Sequence, residues 1–407
     1  MPEHLTEHPT AHSPGQLPPL KVAGRVAGLQ AVLDDAEVDA LVVTTLPNVR
    51  YLSGFTGSAG VLVVTRDGAL LTTDGRYRTQ SVEQVTEAGA EHVVAVEIGG
   101  MQAQRDAVAA FVARAGSRRI GLEADNVSWA ASRRWSELLA GGPADAEVIP
   151  TSGVVEARRE VKDEGEIARM VRAAAIADAA LGEVLPMLAN PERTAVTEAE
   201  FALALDTAMR RGGAEGVAFE TIVAAGPNSA KPHHHPSDRP IRRGDPVVVD
   251  FGAMFEGYRS DMTRTFCVGG EPEGELARIF EVVGASQAGG VAAVAPGASA
   301  KQVDDVCRQV IADAGWADAF EHGTGHGVGL DIHEAPTVSP LGTAILAPGV
   351  VVTVEPGVYL PGIGGVRIED TLVVTEEGAR TLTLFPKTIS TGSVAGSATP
   401  SNNESAA

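Results

Sequence analysis

The chain has 407 residues, a length that predicts two or three domains. Hydrophobic residues make up 44% of it and charged residues 21%, which is ordinary globular usage and argues against a disordered or fibrous protein. The formal net charge of −21 argues against nucleic acid as a partner, because binding to phosphates needs Lys and Arg to displace counterions.

The sequence shows neither a targeting segment nor a disulfide framework. Its first residues lack a basic region followed by an apolar stretch, and no run reaches the roughly 18 apolar residues of a membrane span. Cys267 and Cys307 are the only cysteines, too few for a secreted disulfide scaffold. We therefore expect a soluble, cytoplasmic protein without a membrane partner.

The first part of the chain, residues 20–150, alternates helical and strand patterns. Such alternation is typical of an α/β domain. Residues 1–19 are rich in Pro, His and Ser, and we expect them to form a disordered tail. The predicted elements are a helix over 25–33, strands over 40–43, 60–65 and 70–73, a helix from residue 77, a strand over 92–96, a helix over 102–114, a strand over 119–122 and a helix over 128–139.

The second part, residues 151–390, predicts an α+β domain with antiparallel hairpins. A long helix begins near Asp163, where acidic residues favour a helix N-terminus. Two helices followed by a hairpin occur twice, which suggests two halves with a site between them. Residues 391–407 are small and polar and predict a second disordered tail. The other predicted helices cover 198–211, 274–294 and 300–314, and the hairpins lie around 247–267 and 351–375.

Two aspartates interrupt the first hairpin. If Phe255 and Glu256 form its two-residue turn, Asp250 lies directly opposite Asp261, with Cβ atoms about 4.5 to 5.5 Å apart. Like charges at that distance are destabilising unless a cation neutralises them, and carboxylates suit hard divalent ions. The alternative is the solvated end of an ordinary hairpin.

The second hairpin carries two further carboxylates, Glu355 and Glu369, within apolar strands. Alternation places Arg367 on the same face as Glu369, where a guanidinium can hold a ligating carboxylate in place. The alternative is a surface Arg–Glu pair.

Four histidines are candidates for the same site. His322 and His326 are four residues apart, but the glycines between them and the lack of a following Glu argue against a helical zinc motif. One of the two is a good nitrogen ligand, and the other shapes the pocket. His233, in a His triplet, and His333 could donate hydrogen bonds to a developing oxyanion, although a surface loop is the plainer reading of such a triplet.

The order Asp250, Asp261, His326, Glu355, Glu369 resembles that of the M24-type metallopeptidases, which share the pita-bread fold. Segments similar to the successive signatures of that family are GPNSAKPHHHPSDR, VVVDFGAMFEGYRSDMTRTF, HGTGHGVGLDIHE, TVEPGVY and GVRIEDT. Near the N-terminus, LPNVRYLSGFTGSAG and LLTTDGRY resemble the creatinase-like domain that precedes the catalytic domain in aminopeptidase P and prolidase. Methionine aminopeptidases resemble the catalytic part alone, and creatinase lacks the metal ligands.

This resemblance implies a centre with two divalent metal ions. Asp250 would chelate one ion, Asp261 would bridge both, His326 would bind the other, and Glu355 and Glu369 would complete the ligand set. Manganese is the expected metal, with zinc, cobalt and iron as alternatives.

The resemblance also implies a mechanism and a substrate. A metal-activated hydroxide would attack the scissile carbonyl, Glu355 would move the proton, and His233 and His333 would stabilise the intermediate, with His322 and Arg367 in support. The first hypothesis is a homodimeric Xaa-Pro aminopeptidase that acts on peptides with proline at the second position. The alternatives are an Xaa-Pro dipeptidase and a non-catalytic binding module of the same fold.

Overall fold

The computed structural model describes residues 17–189, 196–387 and 390–391. The chain divides into two units, Met1–Arg159 with Asp163–Ala168, and Glu160–Lys162 with Arg169–Ala407. Of the two predicted tails, residues 1–16 and 392–407 lie outside the described residues. In the part of the chain that is described, no helix is long and apolar enough to cross a membrane.

A mixed six-stranded sheet forms the centre of the first unit, in the order β4-β3-β2-β1-β5-β6. β1 pairs parallel with β5 and antiparallel with β2, and its four residues, ALVV, are all buried. This unit is the α/β domain that the sequence predicted. The strands are β1 (Ala40–Val43), β2 (Val61–Thr65), β3 (Gly68–Thr73), β4 (Val94–Ile98), β5 (Arg119–Glu123) and β6 (Glu147–Thr151).

The predicted helices of this unit are confirmed, and two short helices, Leu46–Ser53 and Glu156–Arg159, and strand β6 were not predicted. The first of these helices carries a proline in its first turn, and in β6 Pro150 weakens the strand pattern in a way that only an edge strand tolerates. The helices are α1 (Val22–Gln30), the missed α2 (Leu46–Ser53), α3 (Arg78–Glu87), α4 (Met101–Arg114), α5 (Trp129–Ala140) and α6 (Glu156–Arg159).

Four long helices belong wholly or partly to the second unit. The first of them begins in the last residues of the first unit and continues into the second. α8 starts at the predicted residue because Thr197 and Glu200 form a capping box, and Ser299 and Gln302 cap α10 in the same way. These helices are α7 (Glu164–Val184), α8 (Glu198–Arg211), α9 (Gly274–Ala293) and α10 (Ala300–Asp313).

The strands of the second unit form antiparallel sheets around two hairpins, so its predicted α+β class is confirmed. The sheet orders are β12-β9-β8, β11-β10-β7, β14-β13-β15-β18-β19 and β16-β17. The strands are β7 (Gly216–Val217), β8 (Ile222–Ala225), β9 (Pro246–Phe251), β10 (Ala253–Phe255), β11 (Tyr258–Arg259), β12 (Met262–Cys267), β13 (Gly325–Gly327), β14 (Glu334–Val338), β15 (Val351–Val354), β16 (Gly357–Leu360), β17 (Gly364–Arg367), β18 (Asp370–Val374) and β19 (Ala379–Thr381).

Each hairpin packs with two helices into its own hydrophobic core. Strands β9 and β12 share one cluster of buried residues with α7 and α8, and β15 and β18 share another with α9 and α10. The two hairpins meet edge on, since the Glu369 amide donates to the Thr263 carbonyl and the Thr265 hydroxyl donates to the Arg367 carbonyl. Carboxylates on both hairpins are thereby brought to one place.

The predicted register of the first hairpin is wrong by two residues. Asp250 pairs with Thr263, not with Asp261, because the turn is formed by Glu256 and Gly257. Both turn residues have positive φ, 44° and 76°, as a type I′ turn requires. A shift of two keeps the same face of the sheet, since side chains alternate with period two. Asp261 therefore lies diagonally from Asp250 on the same side.

Arg264 is a buried cation that ties the two hairpins to the C-terminal segment. It is 1% exposed and lies 2.8 Å from Asp370 Oδ1, and its Nη2 donates to the Phe385 carbonyl at 2.7 Å. Burial alone would raise the pKa of Asp370, but Arg264 and Lys387 together hold it below its usual value.

We predict that Arg264→Met destabilises the protein by about 3 to 5 kcal/mol, because it leaves a buried carboxylate without its main partner. Urea denaturation followed by circular dichroism measures this loss. Lys301→Met, which breaks an exposed pair with Asp305, is the control and should change stability little. Equal effects of the two substitutions would contradict this account.

Candidate metal centre

A cavity of about 590 Å³ in the second unit brings the sequence candidates together. Its volume lies in the range of about 300 to 1,000 Å³ that is usual for small-molecule sites. Nine of the residues that line it are those singled out from the sequence, namely His233, Asp250, Asp261, His322, His326, His333, Glu355, Arg367 and Glu369.

Three carboxylates that line this cavity lie close together. Asp250, Asp261 and Glu369 each offer one oxygen, and these oxygens all lie within 4.8 Å of one another. Asp261 and Glu369 are 4% and 1% exposed. Asp250 stands near the end of β9, Asp261 follows β11, and Glu369 precedes β18, so all three lie at or beside breaks in their strands.

Glu355 faces the same cavity from the second hairpin. The strand pairs β15–β18 and β16–β17 have the same register, and the gap between them contains Glu355 and Glu369. The shared register places these two residues opposite each other. The Glu355 amide donates to the Thr324 carbonyl at 2.8 Å instead of to a neighbouring strand. The interruption thus frees two glutamate side chains to converge while their backbone groups stay hydrogen bonded.

His326 presents a ring nitrogen to these carboxylates. Its Nε2 lies 3.6 Å from Asp261 Oδ2 and 3.5 Å from Glu355 Oε1. Nδ1 donates to the Gly327 carbonyl at 2.9 Å, which leaves the lone pair on Nε2. Burial lowers the pKa of His326 to about 4, so the ring is neutral near pH 7 and able to ligate a metal.

His322 is placed differently from His326. Its Nδ1 lies 2.8 Å from the Gly323 carbonyl and its Nε2 lies 2.9 Å from the Tyr359 hydroxyl, so both nitrogens are engaged. Burial lowers its pKa to about 4 as well. Of the two histidines that the sequence left open, His326 is the one whose nitrogen faces the carboxylates, and His322 contributes to the wall.

Arg367 pairs with Asp250 rather than with Glu369. Its Nη2 lies 2.6 Å from Asp250 Oδ2, and its Nη1 donates to the Tyr359 hydroxyl at 2.8 Å. Glu369 receives a hydrogen bond from the Thr263 hydroxyl at 2.7 Å. Thr263 and Tyr359 were not predicted as site residues, because Thr and Tyr are ordinary strand residues and nothing in the sequence pattern marks them.

The two remaining histidines line the cavity from loops. The ring of His333 packs edge to face against that of His326, with centroids 4.4 Å apart. The loop of His333 is held by the next residue, Glu334, which accepts from the Asp331 amide at 2.9 Å and pairs with the buried Lys162 at 3.2 Å. His233 is exposed, and it lies close enough to His322 to contribute to the lowered pKa of His322.

The electrostatics of the cavity fit a bound cation. Burial and the neighbouring carboxylates raise the pKa of Asp261 and of Glu369 well above the usual values, and burial raises that of Glu355 to about 8. Asp250 Oδ1 is buried and accepts no hydrogen bond from the described part of the chain. Several carboxylate oxygens and one neutral imidazole nitrogen thus converge, and they form a suitable donor set for divalent metal ions. The side chains around them carry too little positive charge to balance the carboxylates.

Comparison with known proteins assigns the family. The model of metallopeptidase family M24 matches residues 168–376, and that of the creatinase/prolidase N-terminal domain matches residues 25–161. The chain belongs to metallopeptidase family M24. The resemblance seen in the sequence is confirmed, and family membership implies divalent metal ions.

Similar proteins carry the names of both proline-specific peptidase activities. An uncharacterized peptidase of Bacillus subtilis, YqhT, is 42% identical over 86% of this chain and 95% of its own. The structure of an Xaa-Pro dipeptidase from Bacillus anthracis has a TM-score of 0.83 at 38% identity, covering 90% of this chain and 98% of that one. An X-Pro aminopeptidase structure from Thermotoga maritima has a TM-score of 0.78 at 35% identity, covering 88% and 99%.

We predict that the metal-free protein loses stability as the pH rises from 7 to 8. The raised pKa of Glu355, about 8 against 4.5, means that the folded state holds a proton that the unfolded state has released, so stability falls through this window. His322 and His326, whose pKa values are lowered, change stability only below about 6.5. Thermal unfolding after chelation measures the loss.

The matched control for this prediction is the same protein saturated with Mn²⁺. Cations that neutralise the carboxylates remove the need for the proton, so the loss between pH 7 and pH 8 should become smaller. An identical pH dependence with and without metal would contradict the proposed link between these carboxylates and the ions.

Proposed function

We propose that the chain is an Xaa-Pro aminopeptidase, which hydrolyses the bond between an N-terminal residue and proline with two divalent metal ions, Mn²⁺ being the expected metal. The observation that carries the proposal is the convergence of four carboxylates and one neutral imidazole in one cavity, in a chain of metallopeptidase family M24. Oxygen-rich ligation with a single imidazole suits Mn²⁺.

The residues that would hold the ions are Asp250, Asp261, His326, Glu355 and Glu369, and Asp261 would be shared by both ions. Asp261 is suited to that place because its carboxylate lies near those of Asp250 and Glu369 and also 3.6 Å from His326 Nε2. When bound, such a pair of ions lowers the pKa of a water molecule and polarises the scissile carbonyl.

The protein residues in the proposed mechanism handle protons and developing charge. Glu355 lines the cavity and lies 3.5 Å from His326 Nε2, and its carboxylate would take a proton from water and pass it to the leaving nitrogen. His233 and His333 line the cavity from two loops and would donate to the carbonyl oxygen as it gains charge. Arg367 and His322 hold Asp250 and Tyr359 in place.

The charge of the cavity wall supports an aminopeptidase over a dipeptidase. A dipeptidase must bind the free carboxylate of its substrate, for which a cation is the natural partner. Among the lining residues, all of them described, Arg367 is the single Lys or Arg, and it is already paired with Asp250. Longer peptides place their carboxylate elsewhere and do not need such a partner inside the cavity.

The second candidate is an Xaa-Pro dipeptidase, the name carried by the Bacillus anthracis structure. A non-catalytic binding module of the same fold has less support, because every proposed ligand is present and lines the cavity.

The proposed setting is the cytoplasm. Cys267 and Cys307 are free and buried, and burial raises the pKa of Cys307 to about 11, so both thiols are unreactive and suit a reducing compartment. The homodimer expected from the family is part of the proposal, and light scattering coupled to size-exclusion chromatography tests it.

We predict that the Mn²⁺-loaded protein cleaves Ala-Pro-Ala between its first two residues and that chelation abolishes this activity. The products are followed by mass spectrometry with Ala-Pro as the parallel substrate. Cleavage of Ala-Pro alone would replace the proposal by a dipeptidase, and cleavage of neither peptide would favour a binding module.

We also predict that Asp261→Ala abolishes turnover while the fold is largely retained, because the substitution removes the carboxylate between the two ions. The initial rate on Ala-Pro-Ala and the circular dichroism spectrum are the two measurements. Asp313→Ala, an exposed residue at the end of α10, is the control and should be as active as the wild type. Activity of Asp261→Ala near that of the control would refute the assigned role.

A further inference from the structure

A buried carboxylate outside the metal centre gathers the loop that carries His233. Glu198 is completely buried and is the first residue of α8, next to the capping residue Thr197. A negative charge at this end of a helix is stabilised by the unpaired backbone amides and the helix dipole. The carboxylate is therefore well placed to remain ionised.

Both ends of the segment 225–237 bind this one carboxylate. At its start, the Ala225 amide donates to Glu198 Oε1 at 2.7 Å. At its end, the Ser237 amide and hydroxyl donate to Oε2 at 3.1 and 2.6 Å. The ends of the loop are thereby closed on a single side chain.

The middle of the segment is attached in the same way. Asn228 Nδ2 donates to Oε1 at 3.0 Å, and His234 Nε2 donates to Oε2 at 2.8 Å. Burial alone would raise the pKa of Glu198, but the hydrogen bonds from this segment outweigh burial and lower it. The side chain is an anionic acceptor for donors that all come from one loop.

His233 lies inside this closed segment, between Pro232 and the anchored His234. The Pro232 carbonyl accepts a hydrogen bond from Arg367 at 3.3 Å, so the segment is held on a second side by the metal centre itself. His233 is exposed and lines the cavity, and anchoring its neighbours on both sides fixes the backbone position from which its side chain enters the cavity.

We propose that Glu198 is a positioning residue, which fixes the 225–237 segment and with it the placement of the His233 imidazole at the cavity. This inference rests on the proposed function of His233 and deepens it. Glu198 acts through the loop and does not contact the metal ligands. Its loss should then have the same consequence as partial loss of His233, which a merely structural carboxylate would not show.

A double-mutant cycle tests the proposal with Ala-Pro-Ala and saturating Mn²⁺. His233→Ala should lower kcat by about 10²- to 10³-fold, as for the loss of one donor to a developing oxyanion. Glu198→Gln keeps the size of the side chain but not the charge, and it should lower kcat by about 10- to 100-fold with a smaller change in KM. The double variant should be no slower than His233→Ala alone.

Glu123→Gln is the matched control. Glu123 is a buried carboxylate in the first unit that likewise accepts from several donors, among them the amides of Thr44 and Thr45. It should lose stability like Glu198→Gln but keep the wild-type kcat. If the effects of Glu198→Gln and His233→Ala multiply in the double variant, or if both glutamine variants lose kcat equally, the proposal is overturned.

A second measurement does not depend on catalysis. Hydrogen exchange followed by mass spectrometry should show faster exchange in residues 225–237 of Glu198→Gln than in the wild type or Glu123→Gln, because two of their amides lose an ionised acceptor. Unchanged exchange in this segment would overturn the proposal. An inactive wild type would instead overturn the proposed function. The exchange measurement would still show whether Glu198 holds the 225–237 segment in place.

Ser237→Ala covers the case in which Glu198→Gln does not fold. It removes one donor to the carboxylate and leaves the charge in place. This variant should speed up exchange in the 225–237 segment and lower kcat by less than His233→Ala does, with no further loss when the two are combined. Wild-type exchange and wild-type kcat in a folded Ser237→Ala protein would count against the proposal.

Discussion

Repulsion among closely spaced carboxylates, all of them buried or partly buried, is the constraint on which the site depends. Asp250, Asp261 and Glu369 bring their oxygens within 4.8 Å of one another, and Glu355 adds a fourth charge beside them. Among the described residues that line the cavity, Arg367 carries the only guanidinium, and one positive charge cannot balance four negative charges. Such a cluster is stable only with protons or with cations, and the divalent metal ions that family membership implies would supply the missing positive charge.

The fold creates this cluster by interrupting its own strands. The two hairpins meet edge on, and the breaks in their strands lie beside the carboxylates, while hydrophobic cores on either side hold the strands. Backbone groups freed at the breaks are satisfied across the junction, as in the hydrogen bond from the Glu369 amide to the Thr263 carbonyl.

The sequence predicts those parts of this structure that depend on local pattern. Helix α8 starts where its capping box starts, and strand β1 matches its run of ALVV, because both signals lie within a few residues. The predicted register of the first hairpin was wrong because either Phe255–Glu256 or Glu256–Gly257 could form the turn. Gly257, which has a positive φ, selects the second pair. The spacing of His322 and His326 did not decide which of them is the ligand, and the family resemblance pointed to His326, whose nitrogen faces the carboxylates. The pairing of Arg367 with Asp250 depends on a contact between distant segments, which the pattern of one sequence does not show.

Diffraction from a crystal of the protein grown with Mn²⁺, measured at the manganese absorption edge, would show whether the carboxylates bind two metal ions. We expect two anomalous peaks per chain, with Asp261 between them and with His326, Glu355, Glu369 and Asp250 as the other protein ligands. No peak in the cavity, or a peak bound by residues outside this group, would contradict it.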